Sequence, residues 1–430
     1  MSELFNSVLQ AFSYWWLVVP LAALVFARDW WLIHITERYI DEIKWILLEI
    51  TIPKENIKSI KAMEQVVAAL HGTYSFGIKR IDRYIKGKVE DWMSLEIVGF
   101  SEGVHFFIRT PEVHKRLVES AFLSEYPDAE IVEVEKDYIE RLREKPFSDR
   151  DIFGTDFTLV KPSHFPIKTY EYFEDNTEEH LLDPLATINE VMSTLKNNEA
   201  IWLQLLIKPT GDTWREKGQE EIDDIIGVKA AKSPSVLSSV AKDAGDIFKN
   251  LPGAMATPPI FDEGVVDVKP TPNKPPSPAS QEKVKAIYNK ISKNAFECVL
   301  RFIYIDDKDE FTTDNVTAVM GSLRQLGDQN LNQLAPHKPT LTTPRAVGLF
   351  WRKKRLTRRK KMLMINYIHR AMPKPIYIPF VDMKLKTSIL NTEEVATLFH
   401  PPLGLVKSQR TQAIQSRKSQ APMDLPTKER

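Results

Sequence analysis

From Leu4 to Ala27 the chain carries no charged side chain, and the run Phe12 to Ala27 (FSYWWLVVPLAALVFA) is apolar and, with its flanks, long enough to predict one membrane-spanning helix within residues 1–36. Tyr14, Trp15 and Trp16 lie toward one end and Trp30 and Trp31 toward the other, where amphipathic rings favour the headgroup layer. Pro20 removes one backbone donor, which spanning helices tolerate. Two other readings stand beside the span. A cleaved signal sequence needs a basic start, but Glu3 is the only charged residue before the run and Val25-Phe26-Ala27 is a poor cleavage site. A buried core helix is the other, because Arg28 and Asp29 interrupt the apolar stretch. Arg28, Arg38 and Lys44 follow the run and no base precedes it, which predicts an N-terminus outside and a body on the cytoplasmic side.

Beyond the run the pattern changes to short strands and amphipathic helices. Ile35 to Lys44 reads as an amphipathic connector, and Trp45 to Ile52 as an apolar strand stopped by Pro53. Ile57, Ile60, Met63, Val67 and Leu70 recur at helical spacing until His71-Gly72. Met93 to Phe100 and Val104 to Thr110 predict two strands joined by Ser101-Glu102-Gly103. Thr110-Pro111 then predicts a helix start, with Val113, Leu117, Val118, Ala121 and Phe122 facing inward, before a strand over Asp128 to Val134. This order, β-α-β-β-α-β over residues 44–150, is that of a ferredoxin-like unit.

A second copy is expected in two pieces. Residues 151–228 give a strand at Phe157 to Val160, a helix at Pro184 to Leu195, a strand at Ile201 to Ile207 and a charged helix from Thr213 to Ile226. Residues 229–281 hold nine prolines between Pro234 and Pro278, a composition that predicts a disordered linker. Residues 282–350 resume with a helix from about Gln281 to Ile291, a strand from Ala295 to Ile305 and a helix from Thr312 to Leu323. The expected fold class is therefore α+β: a transmembrane helix and two ferredoxin-like units, the second interrupted by the linker. Two unrelated small domains are the alternative.

Composition adds an asymmetry. The formal charge is zero, yet residues 1–228 hold 40 acidic and 25 basic side chains and the rest 18 and 33. Such polarity suits an anionic partner for the C-terminal part, or pairing between the halves. Cys298 is the only cysteine and sits in the alternating segment Phe296 to Phe302, which predicts a buried thiol. The sequence contains no GxxxxGK[ST] loop, HExxH, GxSxG or CxxC, and its nine histidines lack metal-ligand spacing. Asp306 to Glu310 lacks the glycine and terminal glutamate of a calcium loop and reads as a polar turn. Glu171, Glu174, Asp175, Glu178 and Glu179 are general acids only in principle. No catalytic residue, cofactor site or metal site is assigned, and a non-enzymatic protein is expected.

Two C-terminal stretches within residues 351–402 stand out. Trp351 to Lys361 (WRKKRLTRRKK) places eight bases in eleven residues, Arg352, Lys353, Lys354, Arg355, Arg358, Arg359, Lys360 and Lys361. They suit DNA phosphates, anionic lipid or the chain's own acidic half. Leu390 to Pro402 (LNTEEVATLFHPP) predicts a short helix capped by Asn391 or Thr392, with Glu393 and Glu394 in its positive first turn. Residues 403–430 read as a flexible tail.

As a string, LNTEEVATLFHPP resembles the segment just before the motor domain in HerA/FtsK-like, type IV secretion ATPases of conjugative transfer. Lys44 to Ile50, Lys61 to Gln65, Leu70 to Gly72, Ser94 to Val98, Val104 to Pro111, Tyr126 to Ile131 and Trp202 to Pro209 resemble the membrane-anchored N-terminal region of the same proteins. The resemblance implies a scaffold or adaptor in a DNA- or protein-translocating machine of the bacterial inner membrane. Without a Walker motif, it implies a separate phosphate-loop ATPase as partner, contacted through Asn391, Thr392, Glu393, Glu394, Leu398, Phe399 and His400. Association with a second copy of the chain stays open. The alternative function is a nucleic-acid-binding module acting through residues 352–361.

Overall fold

A computed structural model describes residues 15–53, 58–144, 149–173, 182–227, 278–346, 351–373 and 383–402. Its centre is a nine-stranded antiparallel sheet. The first half runs β1 (Trp45–Thr51), α2 (Ile60–Leu70), α3 (Arg80–Ile85), β2 (Met93–Phe100), β3 (Gly103–Pro111), α4 (Lys115–Glu125) and β4 (Glu130–Glu133), after the N-terminal helix α1 (Trp15–Glu42). The second runs β5 (Arg150–Leu159), α5 (Ala186–Ser193), β6 (Ala200–Pro209), α6 (Thr213–Ile226), α7 (Pro278–Ser292), β7 (Ala295–Asp307), α8 (Asp314–Gln325) and β8 (Leu334–Pro336). The basic helix α9 (Arg352–Ile368), β9 (Ser388–Asn391) and α10 (Thr392–Leu398) complete the described chain.

The strand order is β4-β1-β3-β2-β6-β7-β5-β8, with β9 beside β7. Read inward from its own edge, each half has the order fourth, first, third, second, so the halves repeat one arrangement. They meet where β2 pairs with β6, and the middle of that register sets Glu96 opposite Gln204. Both strands are buried along almost their whole length, so neither half ends in an open edge at the junction. At Gly99 helix α5 of the second half crosses β2 of the first, and a Cβ there would come within 2.7 Å of the Met192 side chain.

One sheet face carries the main core. Leu48, Leu95, Ile108, Leu203, Leu300 and Phe157 point to it, beneath α2, α4, α5, α8 and α10. The opposite face buries Trp202, Phe107 and Ile303 against Tyr138, Leu363, Met364 and Tyr367. Cys298 is buried as expected, and burial pushes its thiol pKa up, which suits an inert packing residue.

Several boundaries differ from the sequence expectation. Pro111 stays in β3 and a short 3-10 turn, Glu112–His114, precedes α4, so Val113 is 80% exposed instead of lining the core. The helix after the proline-rich segment starts at Pro278, so residues 278–281 belong to α7; the linker expectation otherwise falls outside the described residues. Tyr14, Glu174, Asp175, Glu178, Glu179 and the tail 403–430 also lie outside them.

Candidate functional site

Helix α1 is continuous from Trp15 to Glu42, with Pro20 inside, so the expected span and connector are one rod. Residues Val19–Glu42 form a helix long and apolar enough to cross a membrane. Its first part is uncovered: Leu21 is 61%, Leu24 68% and Phe26 68% exposed, and Trp16, Trp30 and Trp31 are exposed as well. The side chain of Trp15 is not among those described. Its last turns are docked. Leu32, Ile35 and Thr36 are buried, and Ile40 packs in a cluster with Trp45, Val89, Trp92 and Met372. Trp31 Nε1 donates to the Tyr84 carbonyl at 3.0 Å. The closest approach is at Gly87, φ 67°, where a Cβ would stand 2.2 Å from the Ile35 carbonyl oxygen. Only glycine suits both that backbone and that distance.

The basic stretch divides along α9. Arg352, Lys353, Lys354, Arg355, Arg358 and Lys361 are exposed and, among the described residues, make no ion pair. Arg359 and Lys360 are half-buried and engaged within the body. Arg359 Nη1 donates to the carbonyls of Leu341 (2.7 Å), Lys338 (3.1 Å) and Ala346 (3.2 Å), and Lys360 pairs with Asp151. Beyond them Leu363, Met364 and Tyr367 are buried on the sheet.

Under the end of α9 lies a row of buried polar residues that pattern reading did not single out. Glu96, Gln204, Arg301 and Asp156 are direct cross-strand neighbours on β2, β6, β7 and β5. Gln204 Nε2 donates to Glu96 Oε1 at 3.0 Å, Arg301 Nη1 to Gln204 Oε1 at 3.0 Å, and Arg301 Nε to Asp156 Oδ1 at 2.8 Å. Arg370 closes the row from above: its Nε and Nη2 reach the two Glu96 oxygens at 2.9 and 3.0 Å, and it also pairs with Asp137. Tyr138 donates to Glu96 Oε2 at 2.8 Å. Burial works against ionisation of Glu96, but the charge and hydrogen bonds of Arg370, with Ser94 and Tyr138, outweigh it and hold the carboxyl below its usual range. Arg109 stacks on Trp45 at 4.4 Å, and burial together with neighbouring Arg370 lowers its pKa to about 10. The legible signal was the presence of Glu96 and Gln204 in otherwise apolar strands.

The expected partner segment is internal. Asn391 caps α10 by accepting from Glu394 N at 2.9 Å, and Glu394 accepts from Asn391 N at 3.0 Å, a reciprocal capping box. Asn391, Thr392, Glu393, Glu394, Leu398, Phe399 and His400 are nevertheless all buried. Glu394 also pairs with Lys290 at 2.9 Å and accepts from Ile167 N, Glu393 pairs with Lys293, and Lys293 pairs with Glu64. Burial pushes the Glu394 pKa up and the Lys290 pKa down, against their mutual attraction. His400 lies 3.0 Å from Asp183. These contacts tie α10 to α2 of the first half and α7 of the second. The polar side chains expected to meet a partner are engaged within the body.

Residues 40–366 match the family described as Domain of unknown function (DUF8128). The chain belongs to the DUF8128 family. No curated protein matches it. The DUF8128 region spans both halves of the sheet and most of α9, and begins in the docked turns of α1.

Within the DUF8128 region and its flanks, no group of three or more His, Cys, Asp or Glu could hold a metal ion among the described residues. A cleft of about 500 Å³ lies between α7, the segment 166–172 and the turn 328–331. It is lined by both acids and bases, among them Glu171, Lys283, Lys285 and Asp328, and by Lys290, which pairs with Glu394. The arrangement offers charged surface and a docked apolar helix.

Proposed function

We propose that the chain is a membrane-anchored, non-catalytic scaffold whose body consists of two ferredoxin-like units joined edge to edge. The observation that carries this reading is the division of α1, bare and apolar over its first turns, then fixed to the body through Ile35, Gly87 and Trp92. A helix attached in that way sets the position of the body relative to a bilayer. The element order of each half, and its repeated strand order, support the ferredoxin-like reading.

The resemblance to the N-terminal regions of type IV secretion ATPases supports a place in a DNA- or protein-translocating machine of the bacterial inner membrane. In that reading the N-terminus lies outside, the body faces the cytoplasm and the motor is a separate phosphate-loop ATPase. Its docking surface lies outside the buried segment 391–400. Purification of the tagged full chain from native membranes in mild detergent should bring down a phosphate-loop ATPase in fixed stoichiometry, while the chain alone hydrolyses no ATP. A chain that purifies without such a partner contradicts the recruitment, and turnover by the chain alone contradicts the non-catalytic role.

A second reading rests on the six exposed bases of α9, which are free to meet phosphates of nucleic acid. DNA binding that weakens steeply with salt, and is lost on reversing Arg352, Lys353, Lys354 and Arg355 to Glu, supports it. Absence of binding at low salt removes it.

A further inference from the structure

Helix α3 is amphipathic in the wrong sense for a soluble protein. Ile81, Tyr84 and Ile85 fall at i, i+3 and i+4, the spacing that normally faces a core, yet no residue of the helix is buried. Ile81 is 69% and Ile85 66% exposed. The turn before it ends in Phe76, 91% exposed and held at φ 56°, a left-handed conformation costly for a side chain with a Cβ. That turn is fixed in place: Ser75 Oγ donates to the Glu90 carboxylate at 2.7 Å, and the Tyr74 and Phe76 rings lie 5.4 Å apart. Four large apolar side chains are therefore exposed within residues 76–85, one on the anchored turn and three on the helix.

The same stretch is strongly basic. Residues 79–88 contain Lys79, Arg80, Arg83, Lys86 and Lys88 against one acid, Asp82, which pairs with Lys86. Lys79, Arg80 and Arg83 are exposed and make no ion pair among the described residues. Apolar side chains flanked by bases are the chemistry of a helix lying in the surface of an anionic bilayer. Location supplies an independent indication. Tyr84 accepts a hydrogen bond from Trp31, so α3 stands beside Trp30 and Trp31, where the apolar run of α1 gives way to its docked turns. If α1 crosses a membrane, that level is the interface.

We infer that residues 76–88 form a second membrane contact, with Phe76, Ile81, Tyr84 and Ile85 entering the headgroup layer and Lys79, Arg80 and Arg83 meeting lipid phosphates. The inference rests on the anchor reading of α1 and deepens it, because two contacts on one rigid body fix its tilt on the membrane.

The full chain is reconstituted into vesicles of phosphatidylcholine alone or with phosphatidylglycerol. An environment-sensitive fluorophore is attached in one sample to Phe76→Cys and in another to Leu24→Cys; the native thiol of Cys298 is buried. Both labels should be blue-shifted and quenched by lipid-borne quenchers. At Phe76→Cys the quenching should be shallow, require phosphatidylglycerol and be lost with Lys79→Glu, Arg80→Glu and Arg83→Glu combined, while Leu24→Cys is unaffected. An aqueous label at Phe76→Cys beside a quenched label at Leu24→Cys overturns the inference and leaves the anchor standing. Aqueous labels at both overturn both. Quenching at Phe76→Cys alone keeps the surface contact and removes the span, and quenching indifferent to lipid charge and to the triple reversal overturns the contacts of the bases with anionic lipid.

Discussion

At the scale of single residues, a row of polar side chains is buried across the middle of the sheet. Glu96, Gln204, Arg301 and Asp156 stand side by side on four strands, and Arg370 and Tyr367 cover them. Removing one partner of a buried pair leaves the other uncompensated, so Arg370→Ala should cost about 3–5 kcal/mol in urea unfolding. A smaller loss on replacing Glu96 and Arg370 together by apolar residues would identify the stranded charge as the cause. Because Glu96 has a folded pKa below its ordinary 4.5, its contribution is present above that value and is lost as pH falls through the lower, folded value. The urea midpoint should therefore fall below about pH 4.5 more steeply in the native chain than in Glu96→Gln. The residues themselves were legible; their burial was not, since it depends on the end of α9 and on Arg370, which lie 65 residues from Arg301 and 274 from Glu96 in sequence. Val113 failed in the opposite direction, because a 3-10 turn moved it off the helical face on which spacing had put it.

At the scale of elements, segments with a clear period or cap stand near where they were expected, α10 among them, whereas β5 runs from Arg150 to Leu159 although only Phe157 to Val160 read as a strand. β2 from Met93 to Phe100 and α6 from Thr213 to Ile226 stand where the pattern put them, because alternation or amphipathic spacing ran over two or more turns. β8, β9 and α3 carry too few residues for a period to show, and β9 exists because β7 offers it a free edge from Ala295 to Cys298. Helix α9 is a single element with two characters, and mutation should separate them. Lys353→Glu with Lys354→Glu should change stability by less than about 0.5 kcal/mol. Leu363→Ala, at a fully buried site beneath Gly154, should cost about 2–5 kcal/mol in the same assay. The joint between α1 and the body is testable in the same manner. Gly87→Val forces a side chain against the Ile35 carbonyl, so amide hydrogen exchange over residues 35–42 should accelerate while exchange in β6 and β7 stays slow. Unchanged protection there would mean that the helix is held by other contacts.

At the scale of the whole molecule, the first half was legible from strand to strand, whereas in the second the helices α6 and α7 stand between β6 and β7 and the last strand, β8, was not expected. The joining of the halves was not legible, because two apolar strands announce burial without naming the partner that buries them. Pairing of β2 with β6, the polar row across it and α10 wedged between α2 and α7 make one body from two repeats. That body carries an apolar helix, bare over its first turns and docked over its last, for which we propose membrane anchoring. Its most direct test is alkaline carbonate extraction of membranes from cells expressing the full chain with an epitope at its N-terminus. The intact, epitope-bearing chain should stay in the membrane pellet and be released only by detergent. Release into the supernatant, or loss of the epitope by cleavage near Ala27, would contradict it.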